Sequence, residues 1–193
     1  MNADGINPVA SLYGGIKALM GRGDWPDHFD LSRQGFKHSF IALALTLPAI
    51  YLIAYSVQVE RAVQFGEALN PIPLAPFAII LGLYLLTFSA CAYIFAMLLD
   101  IQDRLRPWVI TRHWCVFWLA LSVAVLFGLY LIGVLPFGLV NTAALTAFLG
   151  LLLIDIRLGQ VAVPFKMGAA ILIACFINAM GLVVVLLGFE QVL

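Results

Sequence analysis

The sequence predicts an all-α, multi-pass membrane protein with five transmembrane helices. Of its 193 residues 64% are hydrophobic and only 10% are charged, whereas soluble domains carry about 25% charged residues. The run from Trp114 to Ile154 contains no Asp, Glu, Lys, Arg or His, and it is roughly twice as long as a bilayer-spanning helix. Because the turn-like residues of this run lie around Pro136, we predict a hairpin of two helices that folds back there.

A short amphipathic helix is predicted over residues 7–22, before the first span. Asn7 suits the N-cap, and Pro8 suits the first helical position, where its missing N–H costs nothing. The apolar residues that recur at helical spacing are Val9, Leu12, Tyr13, Ile16, Leu19 and Met20. Two interpretations stay open, since this stripe can lie in the membrane interface or pack on the protein's own loops. Asp30, at the end of the following polar loop, is predicted as the N-cap of the next helix.

The five spans are predicted from the apolar runs and their polar flanks. They cover residues 40–59, 74–99, 114–135, 139–154 and 167–187. This divides the chain into a cytoplasmic N-terminal segment, 1–39, and a five-helix transmembrane domain, 40–193. The charged stretches 100–113 and 155–166 are predicted as loops between spans.

The distribution of basic residues predicts the orientation, because Lys and Arg concentrate on the cytoplasmic side of a membrane protein. Nine of the ten Lys and Arg residues fall on the side that holds the N-terminus, the 2–3 loop and the 4–5 loop, and only Arg61 falls on the other. The N-terminus is therefore predicted to be cytoplasmic and the C-terminus external. The expected location is the cell inner membrane.

Ionisable residues are absent from the middle of every predicted span. Such groups usually mark proton relays or ion paths, so their absence argues against a proton-coupled carrier. The candidate intramembrane polar contacts are Asn141 and Asn178, because an amide within a span needs a partner. Together with Thr142 and Thr146 they would line a polar path if several copies assembled. No catalytic motif or metal-ligand spacing is present, so neither an enzyme nor a metal or cofactor is predicted.

The predicted cytoplasmic rim gathers basic residues into a candidate surface for a partner protein or a lipid headgroup. Its members are Lys17, Arg22, Arg104, Arg106, Arg112, Arg157 and Lys166. The alternative interpretation is that these charges pair with Asp residues at the helix ends and reach into water.

With this topology the chain resembles the Yip1-like family of small five-span membrane proteins. The shared features are the N-terminal segment before span 1, the four closely connected later spans, and the sequence Asp155-Ile156-Arg157-Leu158-Gly159 before the last span. The lead-in to span 1, residues 35–44, followed by Pro48, also looks like uncharacterised bacterial inner-membrane proteins of this size. The resemblance implies an organising or partner role in the membrane and supplies no catalytic residues.

Three functions are expected. The first is a non-enzymatic integral membrane protein that acts by association, as a homo-oligomer or as an accessory subunit of a larger inner-membrane complex. Its partners would be membrane lipids and other membrane subunits or copies of itself, with no nucleic acid. The second is a channel or transport component with an uncharged polar path. The third is a lipid-interacting, membrane-organising protein that uses the N-terminal helix and the basic rim.

Overall fold

Six α-helices form the part of the chain that the computed structural model describes, residues 7–66 and 68–190. Their bounds are α1 Pro8–Met20, α2 Arg33–Phe65, α3 Leu74–Leu98, α4 Gln102–Leu131, α5 Phe137–Val161 and α6 Met167–Glu190, with a 3₁₀ turn at Trp25–His28 between α1 and α2. The first six residues of the predicted N-terminal segment and the predicted external C-terminus at Leu193 lie outside the described residues.

Five of the helices in the described ranges, α2 to α6, are long and apolar enough to cross a membrane. The prediction of an all-helical chain with five spans is confirmed at this level. The hairpin is confirmed as well, since α4 ends at Leu131 and α5 begins at Phe137. Gly133 lies in the turn with φ of 78°, a left-handed conformation that costs glycine little because it has no Cβ.

The helices extend well beyond the predicted spans. The stretches 100–113 and 155–166 were predicted as loops, and this is wrong for most of their length. Arg112 and His113 lie inside α4, and Asp155 lies inside α5. A run of apolar residues locates the part of a helix that faces lipid, whereas the helix itself ends where its last backbone hydrogen bonds are made.

The N-cap of α2 is Ser32, so the prediction of Asp30 at this position is wrong. The Ser32 Oγ accepts hydrogen bonds from the backbone N–H groups of Gln34, at 3.1 Å, and Gly35, at 3.2 Å. The Asp30 carboxylate acts one step earlier, because it accepts the backbone N–H of Ser32 at 3.0 Å. The hydrogen bonds from Ser32 hold the pKa of Asp30 below its ordinary value.

The five long helices alternate in direction, because short connections join antiparallel neighbours. The α3–α4 and α5–α6 connections and the start of α2 therefore share one end of the bundle, which we call the basic end. The α2–α3 and α4–α5 connections lie at the opposite end, which we call the hairpin end. In the packing α4 is central, with α2, α3 and α5 against it, and α6 contacts α3 and α5.

The N-terminal helix α1 packs on the side of the bundle through its small residues. Its predicted N-cap is confirmed, since the Asn7 side chain accepts the N–H of Ala10 at 3.0 Å. The buried residues of α1 are Ser11, Gly14, Gly15 and Ala18. The large apolar residues that it leaves exposed are Val9, Tyr13, Ile16 and Met20. The predicted apolar stripe is thus divided, with its greater part facing away from the protein.

Contacts with α4 and α5 place the start of α1 deeper in the bundle than its end. Trp118 of α4 donates its indole N–H to Ser11 Oγ at 3.1 Å. At the other end, Arg157 Nε of α5 donates to the Leu19 carbonyl at 2.9 Å, one of the last carbonyls of α1 that lack an intrahelical partner. Lys17 binds Asp24 and lies 2.8 Å from His28 Nε2. The hydrogen bond from Lys17 lowers the pKa of Asp24.

Replacing Gly15 by Val is expected to undock α1. A Cβ at Gly15 would lie 3.0 Å from Cys115 Sγ, and overpacking of this kind costs about 1 to 3 kcal/mol. Trypsin should then cleave the detergent-solubilised protein faster after Lys17, which the docked helix protects. The double variant Gly15→Val/Cys115→Ala removes the obstructing sulfur and should restore the slow cleavage. Equal cleavage of wild type and Gly15→Val would contradict the close contact.

Candidate functional site

A set of polar side chains from all five long helices meets inside the bundle, and we call it the polar layer. Its members are Ser39 of α2, Ser89 of α3, Arg112 and His113 of α4, Asp155 of α5 and Asn178 of α6. Arg112 is ten residues from the start of α4, which puts the layer about 15 Å along that helix from the basic end. The layer therefore lies within the spanning helices and not at their rim.

The charged half of the layer joins α4, α5 and α6 through one carboxylate. Arg112 Nε donates to Asp155 Oδ1 at 3.2 Å, and Asn178 Nδ2 donates to Asp155 Oδ2 at 2.9 Å. Small residues bring α5 and α6 together here, since a Cβ at Gly159 would lie only 3.5 Å from the Ala170 side chain. Each oxygen of Asp155 thus has a donor from a different helix, which offsets the cost of burying the carboxylate.

The Arg112 guanidinium is enclosed on several sides. Its carbon lies 4.3 Å from the centre of the Phe88 ring on α3, a distance at which the ring face attracts a cation. Arg112 as a whole is 4% exposed, and its Nη1 is buried without a hydrogen-bond partner in the described residues. One ion pair and one ring face therefore offset the cost of burying this charge. The stability of the protein should accordingly be sensitive to the loss of Asp155.

The neutral half of the layer is centred on His113, which lies between two serines. Ser39 Oγ donates its one hydrogen to the Phe36 carbonyl at 2.7 Å. In its 2.9 Å contact with His113 Nδ1 Ser39 must therefore accept, so Nδ1 carries the hydrogen of the neutral ring. This leaves His113 Nε2 to accept the hydroxyl of Ser89 at 2.8 Å. The ring thus connects α2, α4 and α3.

We expect nitrogen NMR of histidine-labelled protein to show this tautomer. The chain has three histidines, and the His113 signals should report a hydrogen on Nδ1 and an acceptor at Nε2. The variant Ser39→Ala removes the acceptor that fixes the hydrogen on Nδ1, so it should change the tautomer population. A wild-type ring with its hydrogen on Nε2 would contradict the assignment.

The layer holds helices together, and it lies apart from the two cavities found in the described residues. One cavity, of 180 Å³, lies between α1 and the pair α4 and α5. Another, of 690 Å³, lies between α3 and α6. Neither lining includes a member of the polar layer. The imidazole, the carboxylate and the Arg112 Nε are engaged in hydrogen bonds between helices, while the Arg112 Nη1 has no partner in the described residues. Such a network stabilises the packing of the helices.

The seven basic residues of the predicted rim surface fall into three groups. The members that remain exposed are Arg22, Arg104, Arg106 and Lys166. Lys17 and Arg157 are half-buried and hold α1 in place. Arg112 is buried in the bundle, so its predicted place on a surface is corrected, because α4 begins ten residues before it and carries it inward.

The two amides predicted as intramembrane contacts have different environments. Asn178 lies inside and binds Asp155 and the Ala174 carbonyl. Asn141 is exposed on the outer face of α5. Asn141 lies 14 residues before Asp155 on that helix, about 21 Å away along its axis. Within one chain, therefore, these amides do not line a common path.

The outer face of α5 differs from those of the other spans. In the most apolar window of α5 only 17% of the residues are buried, against 28 to 33% in the other four spans. This face carries small residues at every fourth position, Gly138, Thr142, Thr146 and Gly150, with Asn141 beside them. The Thr142 and Thr146 hydroxyls donate to carbonyls of their own helix at 2.8 and 2.9 Å. A Cβ at Gly138 or Gly150 would meet nothing within 4 Å.

Small residues on α4 and α6 are used for packing inside the chain. Ala170 and Ala174 of α6 are each 2% exposed, and they lie on the side of the helix that meets α5. Ala124 of α4 is also buried, at 4% exposure. In contrast to these buried alanines, the row of small residues on α5 faces outward.

Comparison of the chain with protein-family models, with characterised proteins and with solved structures finds no match. The class of protein therefore follows from its own geometry. It is an all-helical protein whose described residues include five helices able to cross a membrane, which defines a multi-pass membrane protein. The resemblance to the Yip1-like family stays a prediction.

Proposed function

We propose that this chain is a non-enzymatic integral membrane protein that acts by association through the outer face of α5. It forms a homo-oligomer or joins a larger complex of the inner membrane as an accessory subunit. The N-terminus is cytoplasmic, so the basic end of the bundle faces the cytoplasm. The channel and the lipid-organising alternatives stay predictions.

The observation that carries this proposal is the outward row Gly138, Thr142, Thr146 and Gly150. Lipid tails are as apolar as leucine, so helices associate in a membrane mainly by close packing and by hydrogen bonds between them. Small residues at every fourth position let two backbones approach closely. Because α5 is the span with the least burial inside the chain, it has the most surface left for a second helix.

The exposed amide of Asn141 supports the same conclusion. Asn141 lies four residues from the start of α5, and an equivalent amide or a backbone carbonyl on a neighbouring helix would supply its amide with a hydrogen-bond partner. Interhelical hydrogen bonds of this kind contribute about 1 kcal/mol each in membranes. The small residues therefore allow two helices to approach closely, and a hydrogen bond from the amide would fix their relative orientation.

The test is the mass of the protein complex in mild detergent. Wild-type protein should run as an oligomer or with a second subunit, and Thr142→Leu should shift it to the mass of a single chain, because a leucine there separates the helices. Thr87→Leu on α3 is the matched control, since Thr87 also donates to its own helix, at 2.8 Å. A single chain in the wild type, or equal shifts in both variants, would overturn the proposal.

A further inference from the structure

A groove on the outer surface between α3 and α6 is lined by apolar residues. Its volume is 690 Å³, and it is lined by Cys91, Ile94, Phe95, Leu98, Leu172, Ile173, Phe176 and Met180. Phe95 and Phe176 meet edge to face across it, with ring centres 5.6 Å apart. The groove is separate from the outer face of α5 and from the polar layer.

The groove lies along the half of the α3–α6 contact that is nearer the basic end. Near the hairpin end these helices touch closely, since a Cβ at Gly181 would lie 2.9 Å from the Tyr84 ring. At Gly188 the corresponding distance to the Ile80 side chain is 2.7 Å. Toward the basic end the groove lies between the same two helices.

The groove is short enough to lie within one leaflet of a bilayer. It extends along α3 from Leu98, the last residue of that helix, to Cys91, a rise of about 10 Å. Along α6 it extends from Leu172 to Met180, about 12 Å. Half of a hydrocarbon core is about 15 Å thick. The transmembrane helix of a partner would cross both leaflets. This groove does not continue into the second leaflet, because α3 and α6 are in close contact there. Its shape therefore fits the acyl chain of a lipid.

Charge at the mouth of the groove favours an anionic headgroup. Lys166 is exposed and directly precedes α6, whose first backbone N–H groups give this helix end a partial positive charge. Arg106 is exposed near the start of α4 at the same end of the bundle. Asp100 is the exposed acid at the end of α3, and Arg104 is paired with Asp103 at 3.0 Å, so the positive charge on the α6 side of the groove comes from Lys166 and the helix end.

We propose that the groove between α3 and α6 binds one phospholipid, with an acyl chain against Phe95 and Phe176 and an anionic headgroup at Lys166. This site goes beyond association through α5 and does not depend on it. The lipid would be drawn from the leaflet at the basic end, where the groove lies.

The experiment is native mass spectrometry of the full chain, delipidated and then mixed with equal amounts of phosphatidylglycerol and phosphatidylcholine in detergent. Wild-type protein should retain one lipid per chain and prefer phosphatidylglycerol. Ile94→Trp should lose the bound lipid, because the indole fills the groove. Leu83→Trp is the matched control, since Leu83 is an exposed residue of the same helix outside the groove, and 55% exposed against 54% for Ile94.

Lys166→Gln tests the headgroup separately. It should keep the lipid but reduce the preference for phosphatidylglycerol about fivefold, which is the contribution of one basic residue near an anionic headgroup. Equal lipid retention by Ile94→Trp and Leu83→Trp would overturn the site, as would a wild type that retains none. A change in oligomeric mass on Ile94→Trp would identify the groove as a contact between chains and would also overturn it. Thr142→Leu should leave lipid retention unchanged. A failure of the lipid test can therefore be distinguished from a failure of the test for association through α5.

Discussion

Replacing Asp155 by Leu is expected to lower the free energy of unfolding by about 3 to 5 kcal/mol, because it leaves a charge buried without its partner. Arg112 is 4% exposed, and its Nε bonds to Asp155 at 3.2 Å. Its Nη1 has no alternative acceptor in the described residues. The measurement is denaturation of the detergent-solubilised protein by sodium dodecyl sulfate, followed by circular dichroism.

Two controls distinguish the buried pair from a general effect of losing a carboxylate. Asp103→Leu breaks the Asp103–Arg104 pair, whose side chains are 73% and 52% exposed, and surface pairs contribute at most about 1 kcal/mol. The double variant Arg112→Met/Asp155→Leu removes both buried charges and should recover most of the lost stability. If Asp155→Leu and Asp103→Leu destabilise the protein equally, the buried pair does not stabilise the helix bundle as we describe.

The two asparagines are expected to respond in opposite ways to the same substitution. Asn178→Leu removes the donor to Asp155 Oδ2, and leaving a buried acceptor without its partner costs about 1 to 3 kcal/mol. Asn141 is exposed, so Asn141→Leu should change the stability of a single chain by less than about 0.5 kcal/mol. It should instead weaken association, because the amide between chains is lost.

Each asparagine variant is the control for the other, with unfolding and complex mass measured on both. Asn178→Leu should unfold more easily, and its folded fraction should keep the mass of the wild-type complex. Asn141→Leu should unfold like the wild type and dissociate. If Asn141→Leu lost as much stability as Asn178→Leu, both amides would be buried within one chain. That result would contradict the exposed position of Asn141 on α5.

Apolar runs were sufficient to predict the number and order of the spans. The charge-free run around Pro136 is too long for one helix, and α4 and α5 do meet in a turn there. Asn7 and Pro8 also predicted the start of α1 correctly, because capping depends on residues next to one another in the chain. These features are local, so the sequence reveals them.

Asn178 was predicted as an intramembrane contact, but the rest of the polar layer was missed because its members are brought together only by packing. Arg112 and Asp155 lie 43 residues apart, and each borders a charge-free run, where a charge is usually read as the start of a loop. One local signal was present. Apolar residues continue beyond both charges, with Trp108, Val109 and Ile110 before Arg112 and Leu158 after Asp155, and this is how a helix continues with its charge turned inward.

Gly14 and Gly15 show the same limit in α1. From sequence they only weaken a helix, by about 1 kcal/mol each. In the structure they are the face that packs: a Cβ at Gly14 would lie 2.7 Å from His28 Cβ, and one at Gly15 would lie 3.0 Å from Cys115 Sγ. The reason for glycine is therefore a neighbour distant in the chain, which no local pattern contains.

Cross-linking in native membranes tests association through α5 most directly. The exposed Cys175 is replaced by Ser, Cys91 and Cys115 being buried, and a single cysteine is introduced as Thr142→Cys or, for comparison, as Thr87→Cys. Two cysteines form a disulfide only when their Cα atoms lie within about 7 Å. Oxidation should join Thr142→Cys chains into a dimer and leave Thr87→Cys chains single, or yield a Thr142→Cys adduct whose mass reveals a different subunit. No product from Thr142→Cys, or equal products from both variants, would contradict association through α5.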